Sequence, residues 1–263
     1  MTITYKLLDK QNEIAHFCTS RQGGVSVGNY ASFNLSPFSG DLEDNVVQNK
    51  KTLCSALQIT PEKLIIPFQT HETEIREIDE AFFALTETEK QLLLNGVDAL
   101  VTKLPGVCIA VTTADCVPLL FFDPRKQVVA AVHAGWRGTC ARIAEKTVQF
   151  MMEHYASQPS DILVAIGPSI SAKVYEVGKE VVDNFESAGF DIPNIIETRN
   201  NAIFLDLWAA NRQLLEKLSI PAANIETAGI CTYTNHEQFF SARRLGIKSG
   251  RMLSGIMIKV VLE

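Results

Sequence analysis

Four apolar stretches of strand length follow one another in the middle of the chain, at residues 99–102, 107–112, 117–122 and 128–132, with only short breaks such as 103–106 and 123–126 between them. These runs show little alternation of apolar with polar residues, so each must be covered on both faces. The breaks are too short for helical crossovers, and hairpins are the expected connection. Further apolar runs at 3–8, 64–68, 162–166, 225–230 and 256–262 supply enough strands for more than one sheet. Helices are fewer. Asp44 can cap one that continues to Leu57, and residues 140–155 place Ala144, Val148, Met151, Met152 and Tyr155 on one stripe. Two more are expected at 179–187 and 206–218. The expected fold class is α+β, a single domain over residues 1–263 of mixed β-sheets layered with flanking helices, since no repeat, charge block or Gly/Ser/Pro-rich linker divides the chain.

Charge narrows the partners. The chain of 263 residues has 24 Lys and Arg against 30 Asp and Glu, a net charge of −6, which argues against nucleic acid or an anionic membrane as the main partner. No apolar segment reaches the ~20 residues of a membrane span. Lys6, Asp9, Lys10 and Glu13 interrupt the opening segment, so no secretory signal is read there and the cytoplasm is the expected location. Six cysteines (Cys18, Cys54, Cys108, Cys116, Cys140 and Cys231) are sparse and irregularly spaced, as free thiols would be.

Three residues stand where apolar runs end: His71 after the run at 64–68, Cys116 between two runs, and His133 at the close of 128–132. Strand ends and their loops are common places for functional side chains. Two imidazoles and a thiolate suit zinc, and three protein ligands leave a fourth position open. Zinc so held acidifies water or polarises a carbonyl or phosphoryl oxygen. Their separation in sequence excludes a local finger, so tertiary structure must assemble any such site. The same residues also fit a hydrolase with Cys116 as nucleophile and a histidine as base, or a buried cysteine beside hydrogen-bonded histidines.

The segments Arg21-Gln22-Gly23-Gly24-Val25-Ser26, Gln69-Thr70-His71, Asp98-Ala99-Leu100-Val101-Thr102, Ala114-Asp115-Cys116-Val117-Pro118, His133-Ala134-Gly135-Trp136-Arg137-Gly138 and Phe239-Phe240-Ser241-Ala242-Arg243-Arg244 occur in this order. Together they resemble the laccase-domain family, known also as multicopper polyphenol oxidase-like proteins, purine nucleoside phosphorylases or peptidoglycan editing factors. The resemblance implies zinc on His71, Cys116 and His133, and an enzyme that phosphorolyses adenosine, inosine and methylthioadenosine and deaminates adenosine. It also implies two alternatives: an amidohydrolase that edits muropeptide precursors, and a copper-dependent polyphenol oxidase. Five histidines with no His-x-His pair are too few for a laccase's copper cluster; a single copper fits the three ligands by type, with Met151 or Met152 as an axial donor, but the helical spacing of those two residues favours core packing.

Phosphorolysis needs anion donors, and no Walker or dinucleotide-binding glycine motif is present. The candidates are Arg21 beside Gly23-Gly24, Arg137 close after His133, and Arg243 of the Arg243-Arg244 pair. Lys50 stands where relatives often have arginine and would meet an anion only as a point charge. Asp115 is a candidate acid, base or ligand-orienting carboxylate, and Glu176 a candidate substrate contact. The pattern Gly24-Val25-Ser26-Val27-Gly28 imitates a nucleophile elbow, but no helical period follows it.

Overall fold

The computed structural model describes residues 2–260. The chain opens with β1 (Thr2–Ile3), β2 (Ile14–Thr19), α1 (Glu43–Leu57), β3 (Leu64–Ile65), β4 (Glu74–Glu77), α2 (Glu80–Ala84) and α3 (Glu87–Leu93). Its middle holds β5 (Val97–Thr102), β6 (Cys108–Thr113), β7 (Val117–Asp123), β8 (Val128–Ala134), α4 (Trp136–Cys140), α5 (Ile143–Tyr155) and β9 (Leu163–Ile166). There follow β10 (Glu176–Val177), α6 (Lys179–Ser187), β11 (Ile196–Arg199), β12 (Ala202–Leu205), α7 (Leu207–Lys217), β13 (Ile225–Thr227), α8 (Ala242–Leu245) and β14 (Met252–Ile258).

These strands form a five-stranded sheet ordered β1-β2-β14-β6-β3, a six-stranded sheet ordered β13-β9-β7-β8-β5-β4, and a small sheet ordered β10-β12-β11. The fold is a mixed α+β single domain, as expected. Three buried clusters show how its layers stack. Val117, Leu119 and Phe121 of β7 pack with Val148 and Met151 of α5 and Leu214 of α7, while Leu120 and Phe122 turn the other way onto Ile109, Val111 and Ile256 of the five-stranded sheet. The outer face of that sheet, through Phe17, Ala110 and Leu253, is closed by Leu53 and Cys54 of α1. The six-stranded sheet is thus a middle layer, and the continuous apolar runs follow from that position.

Several expectations need correction. Only β7 and β8 form the expected hairpin; β5 and β6 lie in different sheets, and β6 and β7 do too. Short connections here cross between layers, a choice that periodicity does not encode. The run at 3–8 is a strand only at Thr2–Ile3, because the amides of Lys6 and Leu7 bond the Glu226 carboxylate instead of a neighbouring strand. The helix expected at 140–155 is two, broken where Arg142 takes a left-handed φ of 67°. Helix α1 starts at Glu43 without a side-chain cap, and Asp44 sits in its first turn, where a negative charge suits the helix dipole.

The last strand begins four residues before the expected 256, and the expected 261–262 lie outside the described residues. Ser254 and Gly255 hide its start from a propensity reading. Gly255 is nevertheless required, since a Cβ there would stand 2.7 Å from the Phe17 ring. All six cysteines are free thiols. Among the described residues no helix is long and apolar enough to cross a membrane.

Candidate metal centre

The three central residues converge at one end of the six-stranded sheet. Cys116 immediately precedes β7, whose first residue pairs with Ala134 at the end of the antiparallel β8, and His133 is the penultimate residue of β8. His71 lies in the turn that leads into β4. One donor atom from each of His71, Cys116 and His133 falls within 4.8 Å of the others, among the described residues the one cluster of this kind. The two imidazole rings meet edge to face with centroids 4.8 Å apart. A Cβ on Gly135 would lie 3.0 Å from Cys116 Sγ and 3.2 Å from His71 Cδ2, so the bare backbone of the next turn is what leaves these side chains room.

The electrostatics fit a soft cation. Burial alone would push the Cys116 thiol up, but the neighbouring imidazoles, His133 first, outweigh it and bring the thiol down to about 6. Burial likewise disfavours a charged His133, while Cys116 and then Asp98 raise it to about 9. A thiolate and two imidazoles within one ion's reach fit zinc, and by ligand type also copper.

Around the tripod the sequence expectations divide. Asp115 lies between β6 and β7 with a φ of 87° and turns its carboxylate away from the tripod: Oδ1 accepts the Thr232 hydroxyl at 2.7 Å, and Oδ2 accepts the Ser241 hydroxyl at 3.0 Å and the Arg243 amide at 2.7 Å. With both oxygens committed, it anchors the Ser241–Arg243 turn against the Cys116 loop and is no free acid or base. Arg243 is exposed, lies over the Tyr175 ring at 5.1 Å, and gives one guanidinium bond to the Glu176 carbonyl at 3.1 Å. The Glu176 side chain itself is exposed on β10. Arg137 is exposed on α4, stacked 4.3 Å over Trp136.

Arg21 departs from its expected role. Its Nε and Nη1 donate to the carbonyls of Ala31 and His236, and the nearby amides of Gly24 and Val25 are taken by Ser32 and Asn49. The supposed anion cradle is filled by the chain's own loop. Lys50 lines a separate cleft of about 900 Å³ with Glu62 and Glu87. Ser26 is buried between Asp41 and Asn49, which removes it as a nucleophile. Met151 is in the core, packed with Val148 and Leu214.

Three residues near the tripod carry no role in the sequence expectations. Asp98 is fully buried and hydrogen-bonds His133 Nδ1 at 2.6 Å. Tyr175 stands close enough for the negative charge of Cys116 to add to burial in pushing its phenol up to about 12. Burial lowers the pKa of Arg251, while Cys116 and Asp115 are near enough to oppose that shift. Asp98 carried a signal, an acid at the head of an apolar run. Arg251 had no motif around it.

Comparison with known proteins agrees with this architecture. The family model described as multi-copper polyphenol oxidoreductase laccase matches residues 15–259. A purine nucleoside phosphorylase of Bacteroides thetaiotaomicron is 47% identical over 256 residues, 97% of this chain and 95% of its own. A protein named adenosine deaminase RL5, from an unknown prokaryotic organism, is 44% identical over 92% of this chain and 93% of its own. The crystal structure of YlmD from Geobacillus stearothermophilus superposes with a TM-score of 0.89 at 33% identity, covering 95% of this chain and 93% of that one. The chain therefore belongs to the multi-copper polyphenol oxidoreductase laccase family, in the company of relatives named for purine nucleoside chemistry.

Proposed function

We propose that this chain is a zinc-dependent purine nucleoside enzyme of the cytoplasm that phosphorolyses adenosine, inosine and methylthioadenosine and deaminates adenosine. The observation that carries the reading is the convergence of His71, Cys116 and His133 within 4.8 Å, in a chain 47% and 44% identical to proteins named for those two activities. His71, Cys116 and His133 would hold the ion, which when bound supplies Lewis acidity at the reacting centre. Arg137 and Arg243, exposed beside Tyr175, offer charged donors to an incoming phosphate. Tyr175 is partly buried against the core with the Arg243 guanidinium over its ring, which ties that donor to the rim of the site. Six free thiols suit the reducing setting.

One tripod among the described residues is too few ligands for a multi-copper cluster, so the family's description does not transfer to this chain as chemistry. The test is product chromatography after incubating the pure protein with adenosine and phosphate. Adenine with ribose 1-phosphate, and phosphate-independent inosine, are the expected products. Unchanged adenosine overturns the reading and brings forward hydrolysis of an amide in a cell-wall precursor, where release of a free amino acid would be measured. Alanine at His71, Cys116 or His133 is expected to abolish metal content and turnover together, with metal read by elemental analysis. Retained metal in any one variant removes that residue from the site.

A further inference from the structure

Asp98 touches the tripod directly, through a short contact between its Oδ1 and His133 Nδ1. It lies near the start of β5, which runs antiparallel beside β8, and its side chain is fully buried. Oδ1 accepts His133 Nδ1–H at 2.6 Å and the His71 amide at 3.1 Å; Oδ2 accepts the amides of Thr70 at 3.1 Å and Glu72 at 3.0 Å. Four donors thus saturate both oxygens. Three of them are consecutive backbone amides, a concave arrangement suited to an anion.

This arrangement answers two difficulties in aiming the ligands. His71 has a φ of 66°, a left-handed conformation that is unfavourable for a residue with a side chain and persists only when its surroundings enforce it. The carboxylate enforces it by gathering the amides on either side. His133 can carry its proton on either ring nitrogen; an acceptor-only carboxylate 2.6 Å from Nδ1 requires the proton there and leaves the lone pair on Nε2.

We infer that Asp98 is a positioning residue of the metal centre, one side chain that fixes the tautomer of His133 and the backbone of His71 and so aims two ligands distant in sequence before any ion arrives. The inference rests on the tripod binding a metal. In Asp98→Asn the carboxamide keeps one acceptor oxygen and sets its NH2 against either the Thr70 and Glu72 amides or His133 and the His71 amide, so the backbone that holds His71 or the bond to His133 is disturbed. Loss of a partner behind a ligating histidine lowers metal affinity by about 10–100-fold.

The experiment titrates cobalt(II) into metal-free wild type and Asp98→Asn. The thiolate-to-cobalt charge-transfer band reports Cys116 ligation, and nitrogen-15 NMR of the zinc-loaded wild type reports the His133 tautomer. Expected are a protonated Nδ1 in the wild type and 10–100-fold weaker cobalt binding in the variant, with the charge-transfer band kept at saturation. Unchanged affinity in a folded Asp98→Asn overturns the inference alone. An unprotonated His133 Nδ1 does so without any variant, should Asp98→Asn fail to fold. A wild type that binds neither ion overturns the metal reading itself, and the two failures are told apart by that control.

Discussion

At the residue scale the centre is defined as much by what is left out as by what is present. Gly135 has an ordinary φ of −66°, so clearance and not conformational freedom explains its glycine. A methyl there would press on Cys116 Sγ at 3.0 Å and on His71 Cδ2 at 3.2 Å, and both would have to give by a few tenths of an ångström. Gly135→Ala is expected to weaken zinc binding about tenfold, since ligands must be held within about 0.5 Å of productive geometry, while leaving the melting temperature of the metal-free protein little changed. Calorimetric titration reads the affinity; an unchanged value would mean that the tripod tolerates misplacement. The cluster of His71, Cys116 and His133 was legible as three metal-capable side chains placed where apolar runs end, in segments that carry the family resemblance. The role of Arg21 was not, because what decides it is two backbone carbonyls distant in sequence, Ala31 and His236.

At the element scale local pattern located strands well where both faces are buried, as in β5 to β9, and poorly where the partner is distant. Strand β2 carries a histidine on an inward position: His16 is buried, and its Nε2 accepts the Tyr5 amide at 2.9 Å, tying the first segment to the sheet. Burial lowers the His16 pKa below the ordinary 6.5; Asp9, 3.5 Å away, and Glu226 pull the other way, and Lys259 adds to the lowering. Protonation also removes the lone pair that the Tyr5 amide uses. With the folded pKa below the unfolded one, the unfolded chain takes up the proton first as pH falls. The contribution is therefore complete above about pH 6.5 and is lost as pH drops from there through the folded pKa, at up to about 1.4 kcal/mol per unit of pH. Urea midpoints between pH 7.5 and 5 should fall more steeply for wild type than for His16→Gln, whose amide oxygen can accept the same bond without titrating. Parallel slopes would remove His16 as a source of acid sensitivity.

At the scale of the whole molecule, the tripod joins the open end of the β7–β8 hairpin, which carries Cys116 and His133, to a turn distant in sequence that carries His71. His71 comes from the turn between β3 of the five-stranded sheet and β4 of the six-stranded one, Cys116 from the crossing between β6 and β7, and His133 from the end of β8. No short peptide of this sequence contains all three residues, which is why their spacing could not assemble the site. An ion that binds only the folded arrangement must stabilise the whole domain by mass action. With zinc at one hundred times its dissociation constant the gain is about 2.7 kcal/mol. At about 2–4 °C per kcal/mol for a chain of this size, the melting temperature should rise by about 5–10 °C. The same addition should leave Cys116→Ala unmoved, and a chelator should return the wild type to the variant's insensitivity. Scanning calorimetry with and without zinc decides it: an equal rise in both proteins would place the ion on a site other than the tripod, and no rise in either would leave His71, Cys116 and His133 as a hydrogen-bonded cluster whose thiolate would have to act by itself.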